Sequence, residues 1–286
     1  MRGFMSIIVN HLDHIYNPGT VFEKKAVNDV SFSVEDGEYI GIAGHTGSGK
    51  STLIAHLNAL MKPTAGGIYH NGVDINSEGF DKKALRGKIG LVFQYPEHQL
   101  FEEDVFSDVC FGPKNLGLTR QETELRAYDA LKAVGINDDR FYVSPFDLSG
   151  GEKRRVAIAG VLAMKPEVLI LDEPCAGLDP KGREEILSMV DSLHASLSLT
   201  VMIVCHSMED LAEHVQRIIV MNDGAIVMDG PSAEVFSHRR ELESIGLAVP
   251  EATAVLSDLK RMGLPVRDDL ITVKDAAKEI LRVFGR

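Results

Sequence analysis

The sequence contains no tryptophan, only three cysteines and few aromatic residues, which make up 6% of its 286 positions. The cysteines (Cys110, Cys175 and Cys205) are odd in number and widely spaced, so no disulfide framework is expected and a reducing compartment is the simpler interpretation. Long apolar runs are also missing, because stretches such as 157–164 and 201–205 fall far below the roughly 20 residues of a membrane-spanning helix. The start of the chain lacks the pattern of a secretory signal. These absences predict a soluble chain, which can still dock on a membrane protein.

The chain has fewer basic residues than acidic residues. The chain has 30 Lys and Arg residues against 42 Asp and Glu residues, which gives a formal net charge of −12. This acidic balance argues against broad, non-specific binding to nucleic acid or to anionic lipid, although local basic patches are compatible with it. With 286 residues, of which 44% are hydrophobic, the chain can bury a full core. We expect one large domain and a smaller additional piece.

Short apolar strands alternate with helical patterns along most of the chain. This alternation predicts an α/β fold with a largely parallel central sheet. A helical block at about 105–164 interrupts the alternation and predicts an inserted helical subdomain. Strands are predicted at 6–10, 27–34, 38–43, 68–75, 89–93, 168–171, 200–205, 215–221 and 225–228. In addition to the first part of the helical block, helices are predicted at 52–61, 150–164, 180–197, 250–262 and 273–284.

The character of the sequence changes after about Ser237. We therefore place the main domain at 1–238 and a helical extension at 239–286. The last helix of the extension has Val273, Ala276 and Ile280 at helical spacing, which indicates one apolar face. Two interpretations of the extension stay open, a packing appendage and an independent ligand-binding domain. The weak pattern favours the appendage.

A glycine-rich segment, GHTGSGKST, follows the strand at 38–43 and precedes a helix. It fits G-x-x-x-x-G-K-[ST] in the strand-to-helix context of a phosphate-binding loop, and the Lys-Ser pair argues against an ordinary turn. Backbone N–H groups of such a loop converge on phosphate oxygens, and the helix N-terminus adds a favourable dipole. Lys50 would reach the β- and γ-phosphates, and Ser51 would offer a hydroxyl to Mg²⁺. The candidate binding residues are Gly44, His45, Thr46, Gly47, Ser48, Gly49, Lys50, Ser51 and Thr52, with no chemistry assigned to the His45 ring.

Two carboxylates end the buried strand at 168–171. Asp172 can hold Mg²⁺ through its water shell, and Glu173 is placed to accept a proton from an attacking water. A Leu-Asp-Glu sequence at a strand end is weak by itself and is often only a helix cap. Together with a phosphate-binding loop, it predicts the second half of a nucleotide site.

A third motif, Leu148-Ser149-Gly150-Gly151-Glu152, begins the helix at 150–164. In isolation Ser149 would be a good N-cap, and the backbone of Gly150 and Gly151 could present N–H groups to an anion. In combination with the loop and the carboxylates, the chain from about Ser6 to Val235 resembles the ATP-binding-cassette (ABC) ATPases. Further matching elements are Tyr16, Gln94, Ala176-Gly177-Leu178-Asp179 and His206.

The resemblance implies a RecA-like core, an antiparallel β subdomain, a helical signature subdomain, and ATP with Mg²⁺ as ligands. It implies that Tyr16 stacks on adenine, although a half-buried loop tyrosine is the alternative. It also implies that Gln94 touches Mg²⁺, beside Ser51 and Asp172, and contacts the attacking water. His206 would bond the γ-phosphate and position Glu173. The signature residues Ser149, Gly150 and Gly151 would face a partner's nucleotide across a head-to-tail dimer, and Asp179 would contact the partner subunit.

Three classes of protein compete for the use of the ATP energy. They are the motor subunit of a membrane transporter, a soluble ABC protein of DNA repair or translation, and a P-loop enzyme that phosphorylates a small molecule. The complete signature argues against the kinase, and the absence of a long coiled-coil insert or second cassette argues against the soluble proteins. The segments 16–20, 92–118 and 144–180 resemble the energy-coupling factor transporters, and PEHQLFEE resembles their second ATPase type. Related cobalt- and nickel-uptake ATPases share most of these motifs and stay an alternative.

The transporter resemblance implies several partners. These are a second ATP-binding subunit, a transmembrane scaffold and a substrate-binding membrane component. The two ATP-binding subunits would most simply form a heterodimer that the extension at 239–286 helps to hold together. The chain would lie at the cytoplasmic side of the cell membrane as a peripheral subunit that powers uptake of vitamins or other micronutrients. Scaffold arginines would dock on an acidic segment, with a solvated acidic surface as the alternative. The proposed acceptors are Glu97, Glu102, Glu103 and Asp104.

Overall fold

The computed structural model describes residues 5–285, and within them the chain forms ten strands, eleven α-helices and three short 3-10 helices. The strands are β1 (Met5–Tyr16), β2 (Lys24–Glu35), β3 (Tyr39–Ala43), β4 (Ala65–His70), β5 (Val73–Asp74), β6 (Ile89–Val92), β7 (Val168–Asp172), β8 (Thr200–Val204), β9 (Arg217–Asn222) and β10 (Ala225–Pro231). The helices are α1 (Lys50–Leu57), α2 (Lys82–Lys88), α3 (Val105–Leu116), α4 (Arg120–Ala133), α5 (Gly150–Leu162), α6 (Pro180–Leu197), α7 (Met208–His214), α8 (Ser232–Ser237), α9 (Arg239–Ser244), α10 (Glu251–Arg261) and α11 (Val273–Phe284).

The central sheet has the strand order β10-β9-β3-β8-β7-β6. From β9 to β6 the neighbouring strands are parallel, and only β10 pairs antiparallel at the edge. Every residue of β3, β6, β7 and β8 is buried, as expected for apolar strands that are covered on both faces. The predicted α/β fold is confirmed. The parallel register brings the carboxyl ends of these strands to one edge of the sheet.

A second sheet is antiparallel and has the order β2-β1-β4-β5. Strand β1 is longer than the predicted 6–10 and reaches Tyr16, which pairs with Lys24 of β2. The pattern misses this extension because the register shifts between Val9 and Leu12, where His11 adopts a φ of 48°. Such a β-bulge breaks the alternation of apolar and polar residues that predicts a strand. The extension fixes the position of Tyr16 at the strand end.

Helices α3, α4 and α5 occupy the helical block at 105–164. Two of them begin with a capping box, in which Thr119 pairs with Glu122 and Ser149 pairs with Glu152. A cap of this kind satisfies N–H groups that the first helical turn leaves unpaired. It also fixes where α5 begins, which sets the position of the signature.

The parallel sheet separates two large apolar clusters. Along β7, Leu169 and Leu171 join one cluster, and Val168 and Ile170 join the other, as the period of two in a strand requires. A third, small core lies around α10 and α11, with Leu256 fully buried. Within residues 5–285, no helix combines the length and the apolar character needed to cross a bilayer.

Candidate active site

Three candidate side chains and the glycine-rich loop meet where four parallel strands end. The loop follows β3, His206 follows β8, Glu173 follows β7, and Gln94 follows β6 with one residue between. Because β3, β8, β7 and β6 are successive neighbours, these groups are arranged in the same order along one edge. Ligands of open α/β sheets bind at this edge. The topology therefore creates the site from segments that are far apart in sequence.

The loop between β3 and α1 has a shape that needs glycine at defined positions. Gly49 has a φ of 103°, and a Cβ atom there would lie 2.3 Å from the carbonyl oxygen of Ala26. Gly44 is equally confined, since a Cβ atom would approach the carbonyl oxygen of Met221 to 2.5 Å. The loop passes so close to β2 and β9 that side chains are excluded at these points. This explains the glycine pattern in structural terms.

Lys50 is the buried cation of the loop, with 4% of the residue exposed. Its Nζ donates to the carbonyl oxygens of Gly44 at 2.6 Å and His45 at 2.9 Å. Burial lowers the pKa of Lys50, and the nearby charges of Glu173 and Asp172 act in the opposite direction. A partly desolvated ammonium that the loop already holds is suited to bind an anion.

Asp172 and Ser51 supply oxygen atoms beside this cation. Asp172 is 7% exposed, and burial raises the pKa of its carboxyl group, while a hydrogen bond from Ser51 works against that rise. Within residues 5–285, the amide oxygen of Gln94 has no hydrogen-bond partner. Hydroxyl, carboxylate and amide oxygens are the donor set that hard divalent cations prefer. The residues present therefore fit Mg²⁺.

Glu173 is held between two polar side chains. Its Oε2 accepts from Nε2 of Gln94 at 2.8 Å, and its Oε1 forms an ion pair with Nε2 of His206. The backbone of Glu173 has a φ of 49°, which is uncommon for a residue other than glycine, and its N–H donates to the carbonyl of Val204. Such left-handed residues cost of order 1–3 kcal/mol and are concentrated at functional sites. The strained turn aims the carboxylate at the loop.

Tyr16 lies at the open end of the same cleft. Its hydroxyl is within 3.1 Å of Oγ1 of Thr52, and its ring packs edge-on against His14 with 4.5 Å between the ring centres. About a third of the residue (37%) stays exposed. An aromatic ring that is fixed at its edge and tip and open on a face can stack on a planar ligand.

These groups line one cleft of about 330 Å³. From the candidate residues, the structure brings together Tyr16, Thr46, Gly47, Gly49, Lys50, Ser51, Thr52, Gln94, Glu173 and His206. Gly44, His45, Ser48 and Asp172 do not line the cleft but lie in or next to the elements that form it. Ser149, Gly150, Gly151 and Asp179 lie outside it. Ser149 and Asp179 are exposed N-caps of α5 and α6, respectively.

The sequence reasoning missed two residues. Lys24 also lines the cleft and brings a second positive charge toward Gly47. Arg154 is 2% exposed and is the largest fully buried side chain in residues 5–285. It donates to the carbonyl oxygens of Pro174 at 2.8 Å and Ala176 at 2.9 Å. A charged residue in a helical pattern reads as solvent-facing, so the only available signal was its place two residues after the signature.

The same arginine binds Glu97, one of the proposed acceptors for a partner's arginine. Nη2 of Arg154 lies 2.8 Å from Oε1 of Glu97, and Nε lies 3.2 Å from Oε2, so both carboxylate oxygens are already bound inside the molecule. The expectation that Glu97 accepts a partner's arginine stays a prediction, and such an arginine would compete with Arg154. Asp104 is also engaged, because it is the N-cap of α3 and accepts from the N–H of Ser107 at 2.8 Å and from its hydroxyl at 3.0 Å.

Comparison with known proteins places this geometry in a family. Residues 27–176 match the family model described as ABC transporter. The energy-coupling factor transporter ATP-binding protein EcfA2 of Caldanaerobacter subterraneus is 51% identical, and the alignment covers 97% of each chain. The protein of the same name from Clostridium perfringens is 50% identical over 98% of this chain and 99% of the relative.

Solved structures agree with the sequence comparison. CbiO1 of Clostridium perfringens, described as part of the ABC transporter complex cbiONQ, has a TM-score of 0.74 at 36% identity and covers 84% of this chain and 94% of its own. The dimeric ATP-binding cassette MJ0796, bound to ADP and Pi after hydrolysis, has a TM-score of 0.70 at 29% identity. The match covers 79% of this chain and 98% of MJ0796. The chain therefore belongs to the ABC transporter family, among the ATP-binding proteins of the energy-coupling factor transporters.

Proposed function

We propose that this chain is the ATP-hydrolysing subunit of an energy-coupling factor importer for vitamins or other micronutrients. The observation that carries the catalytic part is the position of Glu173, held by Gln94 and His206 at the mouth of the phosphate-binding loop. The relatives named EcfA2 share 45–51% identity over nearly the whole chain, which supports this proposal. The domain assignment, 1–238 for nucleotide and 239–286 for pairing of ATPases, belongs to the same proposal.

The chemistry follows from the residues that line the cleft. Tyr16 stacks on the adenine, while the N–H groups of the loop and the ammonium of Lys50 bind the phosphates. Ser51, Asp172 and Gln94 would hold Mg²⁺, which when bound offsets the charge of the phosphate oxygens. Water attacks the γ-phosphorus, its proton passes to Glu173, and the bond to the ADP oxygen breaks. His206 orients the Glu173 carboxylate and bonds the γ-phosphate.

A second ATP-binding subunit completes each site. Ser149 and Asp179 are exposed, and neither lines this chain's own cleft. In a head-to-tail dimer, the signature residues Ser149, Gly150 and Gly151 face the γ-phosphate held by the partner, and Asp179 contacts the partner. We propose that the partner is a different chain and that both composite sites hydrolyse ATP, because this chain has a complete loop and a complete signature.

Replacement of Ser149 by Ala tests the composite site. We expect the ATPase rate of the assembled pair to fall about tenfold or more, because a donor to the transferred phosphate is lost. Ser149→Ala also removes an N-cap, which costs about 1 kcal/mol of stability. Thr119→Ala is the matched control, because Thr119 forms the equivalent capping box of α4 away from the cleft. An unchanged rate in the Ser149 variant, or equal losses in both variants, would contradict the composite site.

The groove beside the acidic segment is the surface proposed for the transmembrane scaffold. It encloses about 480 Å³ between α2, α3, α5 and the segment after β6. Its rim carries Phe101 and Phe111, which are 57% and 42% exposed and pack edge-on with 4.8 Å between ring centres. Exposed aromatic side chains around a concave apolar surface are typical of a protein-binding site. A short amphipathic helix of the scaffold fits this chemistry.

With Glu97 and Asp104 engaged internally, the proposed acidic contacts narrow to Glu102 and Glu103. Their carboxylates form no ion pair within residues 5–285, and both residues directly follow Phe101 in the chain, whose side chain is exposed. The main-chain N–H of Glu102 donates to Asp108, which fixes the backbone of this segment. Arginines of the scaffold can bind these two carboxylates with charge-assisted hydrogen bonds. The chain would then be a peripheral subunit on the cytoplasmic side of the membrane.

Reversal of both charges tests the docking surface. We expect Glu102→Lys with Glu103→Lys to release the chain from membranes and to abolish transport, while ATP binding stays within about twofold, because the cleft is unchanged. The measurements are the membrane-bound fraction of the chain and the affinity for a fluorescent ATP analogue. Glu78→Lys with Asp139→Lys makes the same change in net charge at two exposed sites and should have no effect. Normal assembly of the first double variant would refute the docking surface.

A further inference from the structure

A cluster of possible metal ligands lies away from the nucleotide cleft. Glu184 on α6 and Glu213 and His214 on α7 each place one ligand atom within 4.8 Å of the others. The three residues come from two helices, α6 and α7, which the contact between Asp191 and His214 also joins, so the tertiary fold creates the cluster. Neither the proposed catalysis nor the docking groove uses these side chains.

His214 is oriented as metal-binding histidines are. Its side chain is 9% exposed, and its Nδ1 lies 2.7 Å from Oδ2 of Asp191 on α6. With the Nδ1 proton donated to Asp191, the lone pair of the imidazole is on Nε2, which has no hydrogen-bond partner in residues 5–285. A carboxylate that fixes the ring and tautomer of a histidine is the usual outer contact of a metal ligand.

The charge of the cluster also favours a cation. Glu184 accepts only from the hydroxyl of Ser188 at 3.0 Å, and Glu213 has no hydrogen bond or ion pair in the described part of the chain. No Lys or Arg nitrogen there lies within 4 Å of either carboxylate, although Glu185, the other glutamate of α6, has Arg155 as such a partner. Two carboxylates without a Lys or Arg partner and one imidazole nitrogen therefore converge on one point. Repulsion between the carboxylates would be relieved by a bound cation.

We propose that Glu184, Glu213 and His214 bind a first-row divalent transition-metal ion. One imidazole nitrogen and two carboxylate oxygens suit Zn²⁺, Co²⁺ or Mn²⁺ better than Mg²⁺ or Ca²⁺, which prefer oxygen alone. Three protein ligands leave further positions for water. The ion would tie α6, which begins after Asp179, to α7, which begins after His206. An effect of the bound ion on ATP hydrolysis would rest on the proposed function. The binding of the metal ion itself does not depend on that function.

The experiment titrates the full-length, untagged chain with Co²⁺, without nucleotide and in the presence of excess Mg²⁺. Visible absorption reports the coordination of Co²⁺, and calorimetry gives its affinity. We expect a site in the wild-type chain that Glu184→Gln, Glu213→Gln and His214→Gln each weaken by about tenfold or more. Asp191→Asn should weaken it by a similar factor through the orientation of His214.

Glu185→Gln is the matched control, because it removes a neighbouring carboxylate of the same helix that Arg155 already engages. It should leave Co²⁺ affinity unchanged. The two glutamates of the cluster are exposed, so their variants test the site even if replacement of the nearly buried His214 impairs folding. Equal Co²⁺ binding by the wild-type chain and the Glu184 and Glu213 variants would overturn the proposal, as would complete displacement of Co²⁺ by Mg²⁺. Neither result would bear on the ATPase.

Discussion

Glu173→Gln is expected to bind ATP with near wild-type affinity and to hydrolyse it about 10²–10⁴-fold more slowly, the range by which positioned general bases accelerate reactions. Glutamine has the same shape as glutamate and can keep a contact with Gln94, but it cannot take a proton from water at neutral pH. The phosphate-binding loop and Lys50 are unchanged, so the bound state survives. Phosphate release by the assembled transporter measures the rate of hydrolysis, and a fluorescent ATP analogue measures the affinity.

Glu185→Gln controls for the loss of one carboxylate outside the cleft and should hydrolyse ATP at the wild-type rate. A Glu173 variant with wild-type turnover would place the proton acceptor elsewhere. Loss of ATP binding together with hydrolysis would instead mean that Glu173 supports the fold of the site. The first outcome contradicts the catalytic assignment, and the second reduces it to a structural role.

Arg154→Met is expected to destabilise the chain by about 3–5 kcal/mol in its free energy of unfolding. The guanidinium is 2% exposed and binds Glu97 and the carbonyl oxygens of Pro174 and Ala176. Methionine fills a similar volume but leaves the carboxylate and both carbonyls without their donor. Each unpaired group then bears its desolvation cost. Urea denaturation of wild-type and variant chains measures the difference.

The matched control is Arg155→Met. Arg155 is the next residue of α5, its side chain is 22% exposed, and its contact with Glu185 is longer at 3.4 Å. The control should lose no more than about 1 kcal/mol, as is usual for an exposed ion pair. Equal losses in the two variants would refute the importance of the buried network. A double-mutant cycle with Glu97→Gln should give a coupling free energy above about 1 kcal/mol.

The network of Arg154 has a consequence for coupling. It joins the signature helix α5 to Glu97, at the start of the acidic segment, and to the turn that follows Glu173. A shift of the acidic segment would therefore be transmitted through the Arg154 side chain to the signature helix α5 and to the turn that follows Glu173. Glu97 thus acts inside the molecule, and Glu102 and Glu103 remain the proposed contacts of the scaffold.

The nucleotide site could be predicted because its chemistry needs local sequence patterns. Two of these patterns lie where a strand ends at the sheet edge. The glycine-rich loop at 44–51 follows β3, and the carboxylates Asp172 and Glu173 lie at the end of β7. Helix α6 begins and ends at the predicted residues, 180 and 197, since Asp179 provides an N-cap and Pro180 follows it. The parallel topology then brings the loop, Glu173, His206 and Gln94 together.

Other features depend on tertiary contacts that the sequence pattern does not contain. Arg154 is buried because Glu97, 57 positions earlier, and two carbonyls surround it, and nothing local distinguishes it from Arg155. The bulge at His11 hides the second half of β1 in the same way. The cluster of Glu184, Glu213 and His214 depends on the packing of α6 against α7. Each of these features was therefore found only in the folded chain.

The central claim is that this chain drives a membrane transporter through two partners, a second ATPase and a scaffold. Affinity purification of the full-length chain from detergent-solubilised membranes, with identification of the chains that co-purify, tests it most directly. We predict that a second ATP-binding chain and an integral membrane protein co-purify in fixed proportion with the wild-type chain and with the Glu173→Gln variant. Recovery of the chain alone, or with only soluble proteins or nucleic acid, would contradict the account.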